Sequence, residues 1–119
     1  MMNKDQIINS IFFPRKSMFP QDENDIIINT SDGEKIGIRK FIKNKNSDTI
    51  IFFHGNGEIA HDYIDISTFY NHYDINLIVV DYRGYGLSTG KPNKENLHSD
   101  ALLSFDSIIN YLDDNKYDK

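Results

Sequence analysis

Two short apolar runs without alternation constrain this chain more than any other feature. They are Thr49–Ile50–Ile51–Phe52–Phe53 and Asn76–Leu77–Ile78–Val79–Val80–Asp81. An uninterrupted apolar run of strand length predicts a strand covered on both faces, as in a parallel sheet. Between the runs, Glu58 to Tyr70 sets Ile59, Tyr63, Ile66 and Tyr70 at helical spacing, which predicts a helix. Strand, helix, strand at this spacing implies a parallel pair joined by a right-handed crossover.

The segments on either side extend this frame. Asp25–Thr30 and Lys35–Ile42 flank Ser31–Asp32–Gly33–Glu34, and an Asp-Gly pair between strand-like runs predicts an antiparallel hairpin. Towards the end, Leu97, Ala101, Phe105, Ile108 and Leu112 form one apolar helical stripe, with Asp100 and Asp106 outside it and Pro92 just before it. Residues 1–24 read as an irregular arm carrying Phe12, Phe13, Pro14, Phe19 and Pro20, and residues 25–119 as the domain proper. The order is hairpin, strand, helix, strand, helix. Parallel strands need helices on both faces, so this reads as an α/β chain forming part of a three-layer αβα sandwich.

Charge and composition narrow the partners. A formal net charge of −5 argues against nucleic acid, which calls for a basic face. There are no cysteines, which excludes disulfides, thiolate catalysis and Cys-ligated zinc and suits the cytoplasm. The apolar stretch Ile7–Phe13 is interrupted by Asn9 and Ser10 and is too short for a transmembrane helix. His54, His61, His72 and His98 fit no metal-ligand spacing, so neither metal nor cofactor is expected. Glu58 and Asp62 stand i, i+4 on the expected helix and read as a solvated face sooner than an acid–base pair.

Two glycine-rich turns carry the chemistry. His54–Gly55–Asn56–Gly57 turns a strand into a helix, where exposed amide groups near a helix start suit an oxyanion or a phosphate. A tight structural turn is the plainer reading. Gly55–Asn56–Gly57–Glu58–Ile59–Ala60 also fits the dinucleotide pattern G-x-G-x-x-A, with Asp81 as the ribose-binding acid. Against that, Glu58 would set a carboxylate beside the pyrophosphate, and a dense second motif follows Asp81. That motif holds Gly86–Leu87–Ser88–Thr89–Gly90, a match to the nucleophile-elbow pattern G-x-S-x-G. An elbow needs its serine directly between strand end and helix start. Here six residues separate Asp81 from Ser88, so a loop serine bonding its own turn is favoured over a nucleophile.

Taken in order, Thr30–Ser31–Asp32–Gly33, Phe53–His54–Gly55–Asn56–Gly57 and Asp81–Tyr82–Arg83–Gly84–Tyr85–Gly86–Leu87–Ser88–Thr89–Gly90–Lys91–Pro92 resemble the front half of an α/β-hydrolase. The closest branch by this resemblance is the serine-aminopeptidase-like hydrolases, which include esterases and acyl-protein thioesterases. The resemblance implies a serine hydrolase acting on acyl substrates. Asn56 would give an oxyanion-hole backbone N–H, Gly57 would complete the turn, and His54 and Asp81 would be structural. It also implies that nucleophile, acid and catalytic histidine lie beyond Lys119. The chain alone would then be inactive and would associate with a complementary C-terminal half. A non-catalytic remnant or binding module is the other class that fits.

Overall fold

A computed structural model describes residues 16–18, 20–54 and 58–117 of the chain. The hairpin forms as the Asp-Gly turn predicts. Strands β1 (Asp25–Asn29) and β2 (Lys35–Phe41) run antiparallel, with Ile26 opposite Ile38 and Ile28 opposite Ile36. Thr30 closes the turn. Its backbone N–H donates to the Glu34 carbonyl at 2.8 Å, and its Oγ1 accepts from Glu34 N–H at 2.9 Å. Gly33 sits at φ +87°, where a side chain would be strained.

Strands β3 (Asp48–Phe53) and β4 (Ile75–Val80) are the two apolar runs, and they pair in parallel from Asp48↔Ile75 to Phe53↔Val80. β4 also pairs antiparallel with β2, so the sheet order is β1-β2-β4-β3. Because side chains alternate, β4 serves two cores. Leu77 and Val79 pack with Ala60 and Tyr63 on one face, while Ile78 and Val80 pack with Ile36, Ile38, Ile108 and Leu112 on the other. Each such apolar side chain, fully buried, contributes about 1.5–3 kcal/mol.

Two helices cover these faces. On the first face a single-turn 3-10 helix, Ala60–Tyr63, leads into α1 (Ile64–His72). A uniform helix from Glu58 to Tyr70 was expected, with Ile66 in the buried stripe. Ile59 and Tyr63 are indeed buried, but Ile66 is 49% exposed and Ser67 is buried instead. The cause is the change of helix type. A 3-10 turn advances about 20° more per residue than an α-helix, so four residues rotate the later face by roughly 80°.

On the second face α2 (Lys94–Asp114) starts from a reciprocal cap. Asn93 Oδ1 accepts from Asn96 N–H at 2.8 Å, and Asn96 Oδ1 accepts from Asn93 N–H at 2.9 Å. Its buried residues are Asp100, Ser104, Ile108 and Leu112. This corrects the expected stripe: Asp100 lies inside it and Phe105, 47% exposed, outside. An ion pair described below holds Asp100 inward.

β3 also departs from expectation. It is the edge of the sheet among the described residues, and its burial alternates between half-buried and exposed. Ile50 and Phe52 are each 39% exposed. The run is as apolar as a doubly covered strand, yet only one side of it has a neighbour. Among the described residues no helix is long and apolar enough to cross a membrane.

Candidate functional site at the strand ends

The parallel register of β3 and β4 sets the residues that follow them side by side. His54 comes after Phe53 and Asp81 after Val80, at the C-terminal edge where open α/β sheets bind ligands. His54 Nε2 lies 3.1 Å from Asp81 Oδ1, and both residues are buried. Asp81 Oδ1 also accepts the Ala60 N–H at 2.8 Å. One carboxylate therefore meets the chain where it leaves β3 and again where the 3-10 turn begins. Gly55, Asn56 and Gly57, between those points, lie outside the described residues, and with them the expected oxyanion donor Asn56 and turn residue Gly57.

The second glycine turn packs against this carboxylate. A Cβ on Gly86 would stand 2.1 Å from Asp81 Oδ2, and Gly86 has φ +53°, so both space and backbone call for glycine. Tyr85 is fully buried against His54, with ring centroids 5.3 Å apart. Tyr82 meets the same imidazole edge-on at 4.5 Å. Burial pushes the Tyr82 phenol up, reinforced by Tyr85 and Glu58, so it stays protonated at neutral pH.

Ser88, the elbow-pattern serine, is 1% exposed. Its hydroxyl donates to the Asp81 carbonyl at 2.9 Å and accepts the Gly37 N–H at 2.8 Å. Proton and lone pair are both engaged in tying the loop to β2. Thr89 continues the tie, its Oγ1 accepting from Lys35 N–H at 2.8 Å and its N–H donating to the Lys35 carbonyl at 2.8 Å. Lys16 and Ser17 reach this loop and the 3-10 turn. Lys16 Nζ donates to the Ser88 carbonyl at 2.6 Å, and Ser17 Oγ lies 2.8 Å from His61 Nδ1. Phe12, Phe13, Pro14 and Phe19 of the arm lie outside the described residues.

Arg83 anchors the loop from the α2 side. Its Nε and Nη2 bond the two oxygens of Asp100, both at 2.9 Å, and its Nη1 bonds Asp32 Oδ2 at 2.7 Å. The hydrogen bonds to Asp100 and then Asp32 raise the Arg83 pKa further. In return the Arg83 bond, helped by Thr30, lowers Asp32 to about 2. Sequence reasoning missed this three-residue link. The apolar pattern of the helix placed Asp100 outside the stripe and so gave no sign of it.

Glu58 and Asp62 both have structural work. Glu58 Oε1 accepts the Tyr63 hydroxyl at 2.7 Å, and Asp62 Oδ2 accepts the Ile59 N–H at 3.0 Å. His72 meets Tyr73 edge to face, with ring centroids 5.2 Å apart. Among the described residues no cluster of three His, Asp or Glu could hold a metal.

No family model matches the chain. The alpha/beta hydrolase domain-containing protein 17C of Xenopus tropicalis is 41% identical over 64 residues, covering 50% of this chain and 20% of that protein. A hydrolase from Pseudomonas aeruginosa shares the fold with a TM-score of 0.58 at 20% identity, over 74% of this chain and 34% of the other. A Pyrococcus furiosus esterase aligns with a TM-score of 0.54 at 25% identity, over 77% of this chain and 39% of the other. The mixed four-stranded sheet with a helix on each face defines an α/β protein. The fold is that of the N-terminal part of an α/β-hydrolase. The chain spans about a fifth of the length of the curated relatives it matches.

Proposed function

We infer that this chain is the N-terminal portion of a cytoplasmic serine hydrolase that acts on ester, thioester or amide bonds of small acyl substrates. Residues 1–24 form an arm and residues 25–119 the first part of the catalytic domain. Asn56 supplies a backbone N–H to the oxyanion, and Gly57 completes the turn. The nucleophile, the acid and the catalytic histidine come from polypeptide outside this sequence. One observation supports the reading: Asp81 contacts both His54 and Ala60, the described residues on either side of positions 55–57, at the C-terminal edge of the parallel pair. Preorganised donors at such an edge are what acyl transfer requires. The serine-aminopeptidase-like branch is favoured by the ordered motifs from Asp32 to Pro92.

A dinucleotide site would need Asp81 to reach a ribose. Its carboxylate is 3% exposed and is engaged by Ala60 N–H, which opposes that reading.

Two measurements test the proposal. The chain alone should take no fluorophosphonate label and give no burst with a p-nitrophenyl ester. Labelling that disappears in Ser88→Ala would overturn the view that the nucleophile lies elsewhere. Calorimetry with NAD should show no binding, and binding abolished by Asp81→Ala would overturn the hydrolase reading itself.

A further inference from the structure

The end of α2 carries a tyrosine pair that the site at the strand ends does not use. The helix closes on a Schellman turn. Tyr117 N–H donates to the Leu112 carbonyl at 2.9 Å and Lys116 N–H to the Asp113 carbonyl at 3.2 Å, with Lys116 left-handed at φ +60°. Such a turn folds the residue after it back onto the last turns of the helix. Here it sets Tyr117 against Tyr111, with ring centroids 5.8 Å apart and planes tilted by 42°. The hydroxyls meet as well. Tyr117 donates to the Tyr111 oxygen, which also accepts from Lys40 Nζ at 3.1 Å. Burial and then that donated bond push the Tyr117 phenol up to about 12. Each ring has an ammonium over its face, Lys40 at 4.8 Å from Tyr111 and Lys45 at 5.5 Å from Tyr117. Both tyrosines are half-buried, so the pair keeps a side towards solvent.

We propose that Tyr111 and Tyr117 form a site of oxidative cross-linking, where a one-electron oxidant joins them as dityrosine. Each phenol gives one electron to the oxidant and its hydroxyl proton to water. The two phenoxyl radicals form one bond between ring carbons ortho to oxygen. The hydrogen on each of those carbons then moves as a proton to its own oxygen, which restores both phenols. Two oxidant molecules are each reduced by one electron, and the protein loses two hydrogen atoms. The geometry suits this product. In an ortho-linked biphenol the oxygens lie side by side and share a hydrogen bond, as Tyr111 and Tyr117 already do. Its rings are twisted but not perpendicular, which the 42° tilt approaches. A second close pair gives the contrast. Tyr82 and Tyr85 have centroids 5.7 Å apart, but their planes stand at 87° and Tyr85 is fully buried. The new bond would close the Schellman turn covalently and hold the end of α2, where helices otherwise fray.

The test oxidises the dilute 119-residue chain with a photo-excited ruthenium tris(bipyridyl) complex and persulfate. Intact mass should show a monomer lighter by two hydrogen atoms, with a rise in dityrosine fluorescence. Trypsin cuts after Lys116 and so parts Tyr111 from Tyr117 unless they are linked, and the linked peptide should appear in the digest. Tyr111→Phe and Tyr117→Phe should each abolish it. Tyr73→Phe, which removes a tyrosine that is 62% exposed, should leave it unchanged. In urea the yield should fall at least about threefold, because the folded geometry and not closeness in sequence promotes the bond. Hydrogen exchange at the Lys116 and Tyr117 amides should slow in the linked chain. An equal yield in urea, a link between other tyrosines, cross-links only between chains, or exchange that does not slow would overturn the proposal.

Discussion

Asp100→Asn tests whether the Arg83 link holds the second glycine turn to the body of the domain. The side chains of Arg83 and Asp100 are 8% and 10% exposed and share two bonds of 2.9 Å. Asparagine keeps the shape but offers one acceptor and turns a donor towards a guanidinium that has only donors to give. Breaking a buried pair on one side costs about 3–5 kcal/mol. Here Arg83 keeps Asp32, so the expected loss is nearer 3 kcal/mol. For a small domain losing about 1.5 kcal/mol per molar urea, the unfolding midpoint should fall by about 2 M. The assay is urea titration followed by far-UV circular dichroism, because the chain has no tryptophan. Asp32→Asn, whose side chain is 59% exposed, should lower the midpoint clearly less. The double variant Arg83→Leu/Asp100→Leu should recover most of the loss, giving a coupling energy of about 2 kcal/mol. A loss below about 1 kcal/mol for Asp100→Asn, or equal losses for the two acids, would refute the reasoning.

Three further outcomes are expected. Gly86→Ala should cost about 2–5 kcal/mol, from left-handed strain plus overlap with the Asp81 carboxylate; Gly33→Ala, with nothing within 4 Å, should cost only the strain, about 1–2 kcal/mol by the same denaturation assay. Ser88→Ala should lose about 1–3 kcal/mol by leaving the Gly37 N–H unpaired, measurable as a lower melting temperature. Asp32 has its carboxyl lowered to about 2 from 3.8, so its stabilising effect is complete above about pH 4 and fades as pH falls through about 2; denaturation midpoints should show a shallower acid slope in Asp32→Asn across that window.

The hairpin and the parallel pair were legible because each is written in local pattern: Asp32–Gly33 between two strand-like runs, and unbroken apolar residues at Thr49–Phe53 and Leu77–Val80. The placement of Asp100 was not. Its partner Arg83 lies 17 residues away, and Arg83 meets Asp32 across 51, separations that periodicity does not sample. Ile66 was misplaced because no residue between Glu58 and Tyr63 announces a change from three residues per turn to 3.6. β3 was read as covered on both faces because its composition is that of a covered strand. The difference lies in the missing neighbour, which no property of the strand's own residues reports. At the strand ends, His54 and Asp81 were read as structural from their family resemblance, but the shared hold on Ala60 needed coordinates.

Strand order sets the order of events during synthesis. The hairpin emerges first with the inner edge of β2 open, and the next strand made, β3, does not fill it. β4 alone satisfies both, pairing with β2 on one side and β3 on the other. Until β4 inserts, two strands wait with open ladders, and neither core can close, since Leu77, Ile78, Val79 and Val80 supply both. Folding should therefore be all-or-none around one late, non-local step, and slow for a chain this short. A nascent chain paused after β3 would be the species most in need of a chaperone.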